Sequence, residues 1–326
     1  MTRARQEVLE WAEQGRIAPR HLRRALELAR VLPTAIEWRG FLDRLLLWLG
    51  AVMIAAGVIF FFAYNWQGLG RYVKFAMAEV PIAVVLVLIW WKGLEQAAGK
   101  AALLAAAVFT GALLALIGQT YQTGADTFEL FAAWAVAILP WVVVGRLPAL
   151  WILWLVLVNL AVTFYFQAFH GLFGLVFAPE RQIWLLSALN TAALSIWEVL
   201  AARGVAWLRE RWATRLMATA GGAFVTTLAV FQIVGLGGAT SGLGALAWFA
   251  WLAAAYAVYR RRIKDMYVLA GGVLSVIVVV ATFTGKHLLD AHAEAGAFLF
   301  IGLLIIGLSA AGGWWLKTVA KDEEAA

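Results

Sequence analysis

Residues 101–130 read AALLAAAVFTGALLALIGQTYQTGADTFEL, and the fold follows from this stretch. Its first eighteen residues, 101–118, contain no charged side chain. As an α-helix they would rise about 27 Å, close to the ~30 Å hydrocarbon core of a bilayer. A dense polar turn follows from Gly118 to Glu129, and apolar sequence then resumes. Crossing, turning and crossing again is the pattern of a polytopic membrane protein.

The whole chain fits that pattern. Of its 326 residues, 64% are hydrophobic and only 14% charged, and the mean hydropathy is +0.84. A soluble domain carries about a quarter charged residues. Only lipid lets so much apolar surface stay uncovered, and in lipid the backbone must satisfy itself within helices or closed barrels. Apolar runs fall at about 44–64, 72–91, 101–118, 128–145, 148–166, 182–202, 215–234, 242–259, 265–284 and 295–316. The expected fold is an all-α, polytopic transmembrane bundle of about ten spans, covering 41–326. Eighteen tryptophans suit the lipid–water interfaces.

Residues 1–40 precede the spans and read as a short helical hairpin. Val8, Leu9, Trp11 and Ala12 share helical spacing, Gly15 ends that helix, and Pro19 opens the next. Leu22, Ala25, Leu26 and Ala29 stripe the second helix, which Pro33 closes. So small a unit cannot bury a core alone. It is expected to dock on the membrane domain, on the membrane surface or on a cytoplasmic protein partner. Its polar, Arg-rich opening does not resemble a cleavable signal peptide.

Charge gives the orientation. With ten spans and a cytoplasmic N-terminus, 22 of the 26 Lys and Arg residues fall on the inner side. Only Arg71, Lys74, Arg181 and Lys286 fall on the outer side or at its span edges. That division predicts an inner-membrane protein with both termini cytoplasmic. It also accounts for the net charge of +7 without nucleic acid. The inner clusters, Arg209, Arg211 and Arg215 with Arg260, Arg261, Arg262 and Lys264, are candidates for anionic lipid headgroups.

Candidate chemistry is sparse. With no cysteine there is no disulfide, thiolate metal site or cysteine nucleophile. No phosphate-binding loop, HExxH motif or nucleophile elbow occurs, so enzyme activity is not expected. Lys286, His287, Asp290, His292 and Glu294 share the last outer loop, but their spacing matches no metal motif. No cofactor or metal is expected.

The outer turn is different. Gln119, Gln122, Asp126 and Glu129 bring amides and carboxylates together with no local cation. Two readings hold: helix capping, with Asp126 or Thr127 as N-cap of the fourth span, or an outward site for a cation or polar solute. Glu79 lies seven residues past Tyr72, about 10 Å into the second span. A charge at that depth needs a partner or water. Phe75, Ala76, Ile82 and Ala83 offer none on its own helix, and Pro81 frees a nearby carbonyl. Asn159, Asn190 and Thr226–Thr227 fall at a similar depth, counted from the outer ends of their spans. They form interhelical hydrogen bonds as packing glue, or they line a cavity with Glu79 at its floor. Glu198, near the inner end of the sixth span, is expected to reach Arg203 or the interface.

The segments GQTYQTGADTFELFAAWA (118–135), GVIFFFAYNW (57–66) and VLEWAEQGRIAPRHLRRALEL (8–28) resemble bacterial predicted membrane proteins of the domain of unknown function 2157 family. The resemblance covers about the first 150 residues. It implies a cytoplasmic helical hairpin followed by a multi-span domain in the bacterial inner membrane, and no particular activity. Two functional classes remain: a binding or scaffold protein with an outward-facing polar site, or a transporter or channel for a small polar solute or cation.

Overall fold

The structure is a computed structural model that describes residues 3–29, 31–32, 34–64, 70–169, 179–236, 242–290 and 294–324. These residues form twelve α-helices, with short 3-10 turns at Pro19–His21 and Ala206–Arg209 and no strand. Ten of the helices are long and apolar enough to cross a membrane. The all-α, multi-span architecture read from the sequence is the one observed.

The chain divides into two compact units, Met1–Phe109 with Lys321–Ala326, and Thr110–Ala320. In the first, α1 (Arg3–Glu13) and α2 (Leu22–Leu28) make the short hairpin. Gly15 takes φ +73 in the turn, and the Trp11 carbonyl accepts N–H groups from both Arg16 and Ile17. Only glycine adopts that backbone without strain, so Gly15 does stop the helix. Pro33 lies outside the described residues.

The first spanning helix, α3 (Ala35–Tyr64), begins nine residues before the apolar run that marked it. A capping box sets its start. The Glu37 carboxylate accepts the Thr34 N–H at 2.7 Å, and Thr34 Oγ1 accepts the Glu37 N–H at 3.3 Å. Helix α4 (Arg71–Lys92) runs on through Pro81. Phe60 on α3 and Trp90 on α4 stand exposed, as contact with lipid requires.

The second unit takes in α6 (Thr127–Gly145), α7 (Pro148–Ala168), α8 (Pro179–Ala202), α9 (Arg211–Val234), α10 (Leu243–Arg261) and α11 (Met266–Asp290). It also holds the later part of α5 (Ala97–Tyr121) and most of α12 (Glu294–Glu324). Helix α9 is central, packed against α7, α8, α10 and α11. Small residues allow that closeness. At Gly244 an added Cβ would stand 3.0 Å from the Leu228 carbonyl, so α9 and α10 approach backbone to backbone. One buried cluster gathers Leu155, Leu194, Trp197, Met217, Tyr259 and Leu269. A smaller one holds Val225, Ala229, Trp248 and Val279.

Candidate functional site

Within the second unit, α5 ends and α6 begins around the polar turn. Gln122 (φ 45) and Gly124 (φ 67) both take left-handed backbone, and the Thr123 N–H returns to the Gly118 carbonyl at 3.3 Å. Asp126 stands at the N-cap of α6 with Glu129 at N3. The Glu129 carboxylate accepts the Asp126 N–H at 3.1 Å, the N3 half of a capping box. The capping role is therefore realised.

The same turn borders a groove of about 530 Å³. Ile117, Gly118 and Leu130 make part of its wall, and Gln119, Thr123, Asp126 and Glu129 supply polar atoms. None of its described lining residues is cationic. Capping and a solvent-facing acidic rim thus coexist, since a carboxylate that accepts one N–H keeps further acceptor positions. Gln122 is exposed in the turn and does not line the groove.

The buried polar residues behave otherwise. Asn190, only 1% exposed, donates to Asn159 Oδ1 at 2.6 Å and to the Leu186 carbonyl at 2.8 Å. Asn159 donates back to Asn190 Oδ1 at 3.3 Å and to the Leu155 carbonyl at 2.7 Å. Both amide groups are satisfied. The two residues counted to a similar depth bond each other, and that bonding is the interhelical glue of α7 and α8.

Thr226 belongs to a separate chain of bonds. Trp248 Nε1 donates to Ser275 Oγ at 2.7 Å, Ser275 and Thr226 share a bond of 2.6 Å, and Thr226 donates to the Gly222 carbonyl at 2.6 Å. Thr227 bonds back to the Ala223 carbonyl. Glu79 lies in the first unit, exposed on α4, with no hydrogen bond among the described residues.

A third constellation ties α8, α9, α10 and the start of α11. Arg211 Nη1 reaches Glu198 Oε1 at 3.0 Å, and its Nε donates to Asp265 Oδ2 at 3.0 Å. Arg215 Nε donates to both Asp265 oxygens at 3.2 Å. Tyr259 donates to Glu198 Oε1 at 2.9 Å, and the Tyr267 N–H caps onto Asp265 Oδ1 at 3.1 Å. Burial alone would raise the Asp265 carboxyl. The hydrogen bonds and charges of Arg215 and Arg211 outweigh it and hold the carboxyl below the usual carboxylate range. This corrects the expectation for Glu198, whose partners are Arg211 and Tyr259 instead of Arg203. Arg211 is likewise turned onto carboxylates and does not stand in an open basic patch.

No group of three or more metal-ligating side chains occurs among the described residues. Asp290, His292 and Glu294 lie outside the described side chains.

Residues 9–151 match the family of predicted membrane proteins DUF2157. No curated protein and no solved structure matches the chain. The DUF2157 match takes in Glu79, the outer turn and its groove, and it stops eight residues short of Asn159. The Glu198–Arg211–Asp265 network lies wholly beyond it.

Sequence reasoning passed over Asp265, Tyr259, Ser275 and Trp248. For Asp265 there was a signal. It is the lone carboxylate from 211 through 289 and follows directly on Arg260, Arg261, Arg262 and Lys264. Ser275 and Trp248 carried none, because a serine or tryptophan in a span is ordinary until its partner is known.

Proposed function

We propose that this chain is a non-enzymatic binding or scaffold protein of the bacterial inner membrane. Its termini lie in the cytoplasm, and its groove at Gln119, Asp126 and Glu129 faces outward and takes a small cation or cationic solute. One observation carries the reading: two carboxylates rim a groove of about 530 Å³ that contains no cationic side chain among its described residues. The inner 22 of 26 basic residues support the orientation.

The polar groups deeper in the second unit favour binding over transport. Asn159, Asn190, Thr226, Ser275 and Trp248 are engaged with one another, so they offer a solute no chain of open contacts. The Glu198–Arg211–Asp265–Arg215 lattice braces the opposite end. A bundle braced in this way, with an open polar rim at Gln119, Asp126 and Glu129, suits a scaffold, with residues 1–40 left to dock a cytoplasmic protein.

A transporter or channel remains the second reading, and Glu79 favours it. An exposed carboxylate on a membrane-crossing helix needs water or a partner at that depth.

Thermal unfolding of the detergent-purified protein, titrated with spermidine and with Mg²⁺, separates the readings. Binding predicts stabilisation by one of these probes that Asp126→Asn removes. Asparagine caps a helix as well as aspartate does, so basal stability should hold. No stabilisation, or stabilisation indifferent to Asp126→Asn, counts against the groove. Flux of the same cations into proteoliposomes, abolished by Glu79→Gln, would favour transport.

A further inference from the structure

A second groove, unrelated to the outer turn, runs between α9 and α11. It holds about 520 Å³, with Trp251 of α10 among its lining residues. Gly222 and Ala223 line it from α9, and Gly271 and Leu274 from α11. A Cβ added at Gly271 would meet nothing within 4 Å, so the space there is open.

Chemistry decides what fits. The hydroxyls inside the groove already have partners, since Thr226 and Ser275 bond each other and Thr219 pairs with Tyr267 at 3.1 Å. These hydroxyls therefore leave a polar solute little free hydrogen-bonding capacity. Length points the same way. From Tyr267 to Val278 the lining follows α11 for eleven residues, about 16 Å of rise. That is close to half of the ~30 Å hydrocarbon core, the depth of one leaflet.

Charge then marks one end. Tyr267, at the start of α11, carries Arg215 over its ring at 5.7 Å. The Arg215 side chain is 45% exposed although its Nε holds Asp265. Around the same end Arg209, Arg261, Arg262 and Lys264 are exposed, with Glu210 the exposed acid between Arg209 and Arg211. The guanidinium and ammonium groups there outnumber the exposed acids.

We propose that this groove is a binding site for an anionic glycerophospholipid of the leaflet on the Arg215 side. One acyl chain lies along Gly222, Ala223 and Gly271, and the phosphate pairs with the outward nitrogens of Arg215. The Tyr267 ring sits at the boundary between the two. The groove thus selects by length and by headgroup charge, which neither the apolar lining nor the basic cluster does alone. It is independent of the outer groove, and Asp126→Asn should leave it unchanged.

Native mass spectrometry of the protein in mild detergent tests this. Phosphatidylglycerol and phosphatidylcholine with identical chains are the probes. Phosphatidylglycerol should remain bound at the lower concentration. Arg215→Gln should weaken it about fivefold, from the roughly 1 kcal/mol that a basic residue near the surface contributes. Arg215→Lys should retain most of the preference. Gly271→Leu, which grows into open space and leaves the Asp265 network intact, should lower retention of both lipids. Equal retention of the two lipids, or indifference to Gly271→Leu, would overturn the proposal. Conversion of a dimer to a monomer by Gly271→Leu with lipid retention unaltered would assign the groove to a second copy of the chain instead.

Discussion

Asn159 on α7 and Asn190 on α8 hold each other through two side-chain hydrogen bonds of 2.6 and 3.3 Å. Each amide also donates to a carbonyl one turn back on its own helix. Removing Asn190 leaves the half-buried Asn159 amide short of a bond. Asn190→Leu should therefore destabilise the bundle by about 1–2 kcal/mol. The double change to leucine should cost less than the two single changes added together. Unfolding of the purified protein in a denaturing detergent titration measures the coupling. Additive single effects would mean the two amides do not act as a pair.

The Asp265 carboxylate presents a harsher case. Its side chain is 2% exposed and faces Arg211 and Arg215. Asp265→Asn takes the shared counter-charge from two partly exposed guanidinium groups, of which Arg211 keeps Glu198. The loss should be about 1.5–3 kcal/mol, the range for hydrogen bonds to charged groups. Arg215→Gln should cost far less, about 0–1 kcal/mol, because that side chain is 45% exposed and screened. The order of the two variants in thermal unfolding is the measurement. Equal losses would show that Asp265 acts chiefly as the cap of α11.

The lowered Asp265 carboxyl also predicts a pH dependence. A carboxylate held lower in the folded state than its unfolded value of about 3.9 adds stability that is fully present above that value. The contribution fades as pH falls below it and through the folded value. Midpoints of unfolding should thus be flat from neutrality to about pH 5 as far as this group is concerned, then drop. In Asp265→Asn that part of the acid slope should vanish. An unchanged slope would place the acid sensitivity elsewhere.

The legibility of these features in the sequence divides along physical lines. Spans were readable because hydropathy over twenty residues is a local property, and all ten apolar runs became membrane-length helices. Ends were less so. Glu37, Arg39 and Asp43 hid the first nine residues of α3, although Thr34 and Glu37 already spelled a capping box. Depth counting put Asn159 and Asn190 at one level because each lies a similar number of residues from the outer end of its span. It did not supply partners for Thr226, which needed the packing of α9 against α11 and α10. Glu198 and Arg211 are thirteen residues apart and Glu198 and Tyr259 sixty-one, distances that no local pattern encodes.

The Thr34–Glu37 box carries a local prediction. Both residues sit at the exposed start of a thirty-residue helix, so losing the box should fray the first turn without unfolding the bundle. Thr34→Ala should cost about 1 kcal/mol locally. Hydrogen exchange should speed at residues 36–38 and stay unchanged across α9. Faster exchange along the whole helix would make the box a determinant of the span itself.

Gly111 and Gly118 offer a contrast seven residues apart on α5. A Cβ at Gly111 would overlap the Trp134 indole, whereas at Gly118 it would meet only Thr123 Oγ1 at 3.9 Å. The first glycine is there because α6 lays a ring against α5 where no side chain fits. Gly111→Ala should thus cost about 1–3 kcal/mol through overpacking. Gly118→Ala should be neutral or slightly stabilising, since alanine gains up to about 1 kcal/mol over glycine in a helix. Shrinking the ring tests the cause, because Trp134→Leu should restore much of the stability lost in Gly111→Ala. If the double variant is as unstable as the two changes added, the indole is not the obstacle and the α5–α6 contact rests on other residues.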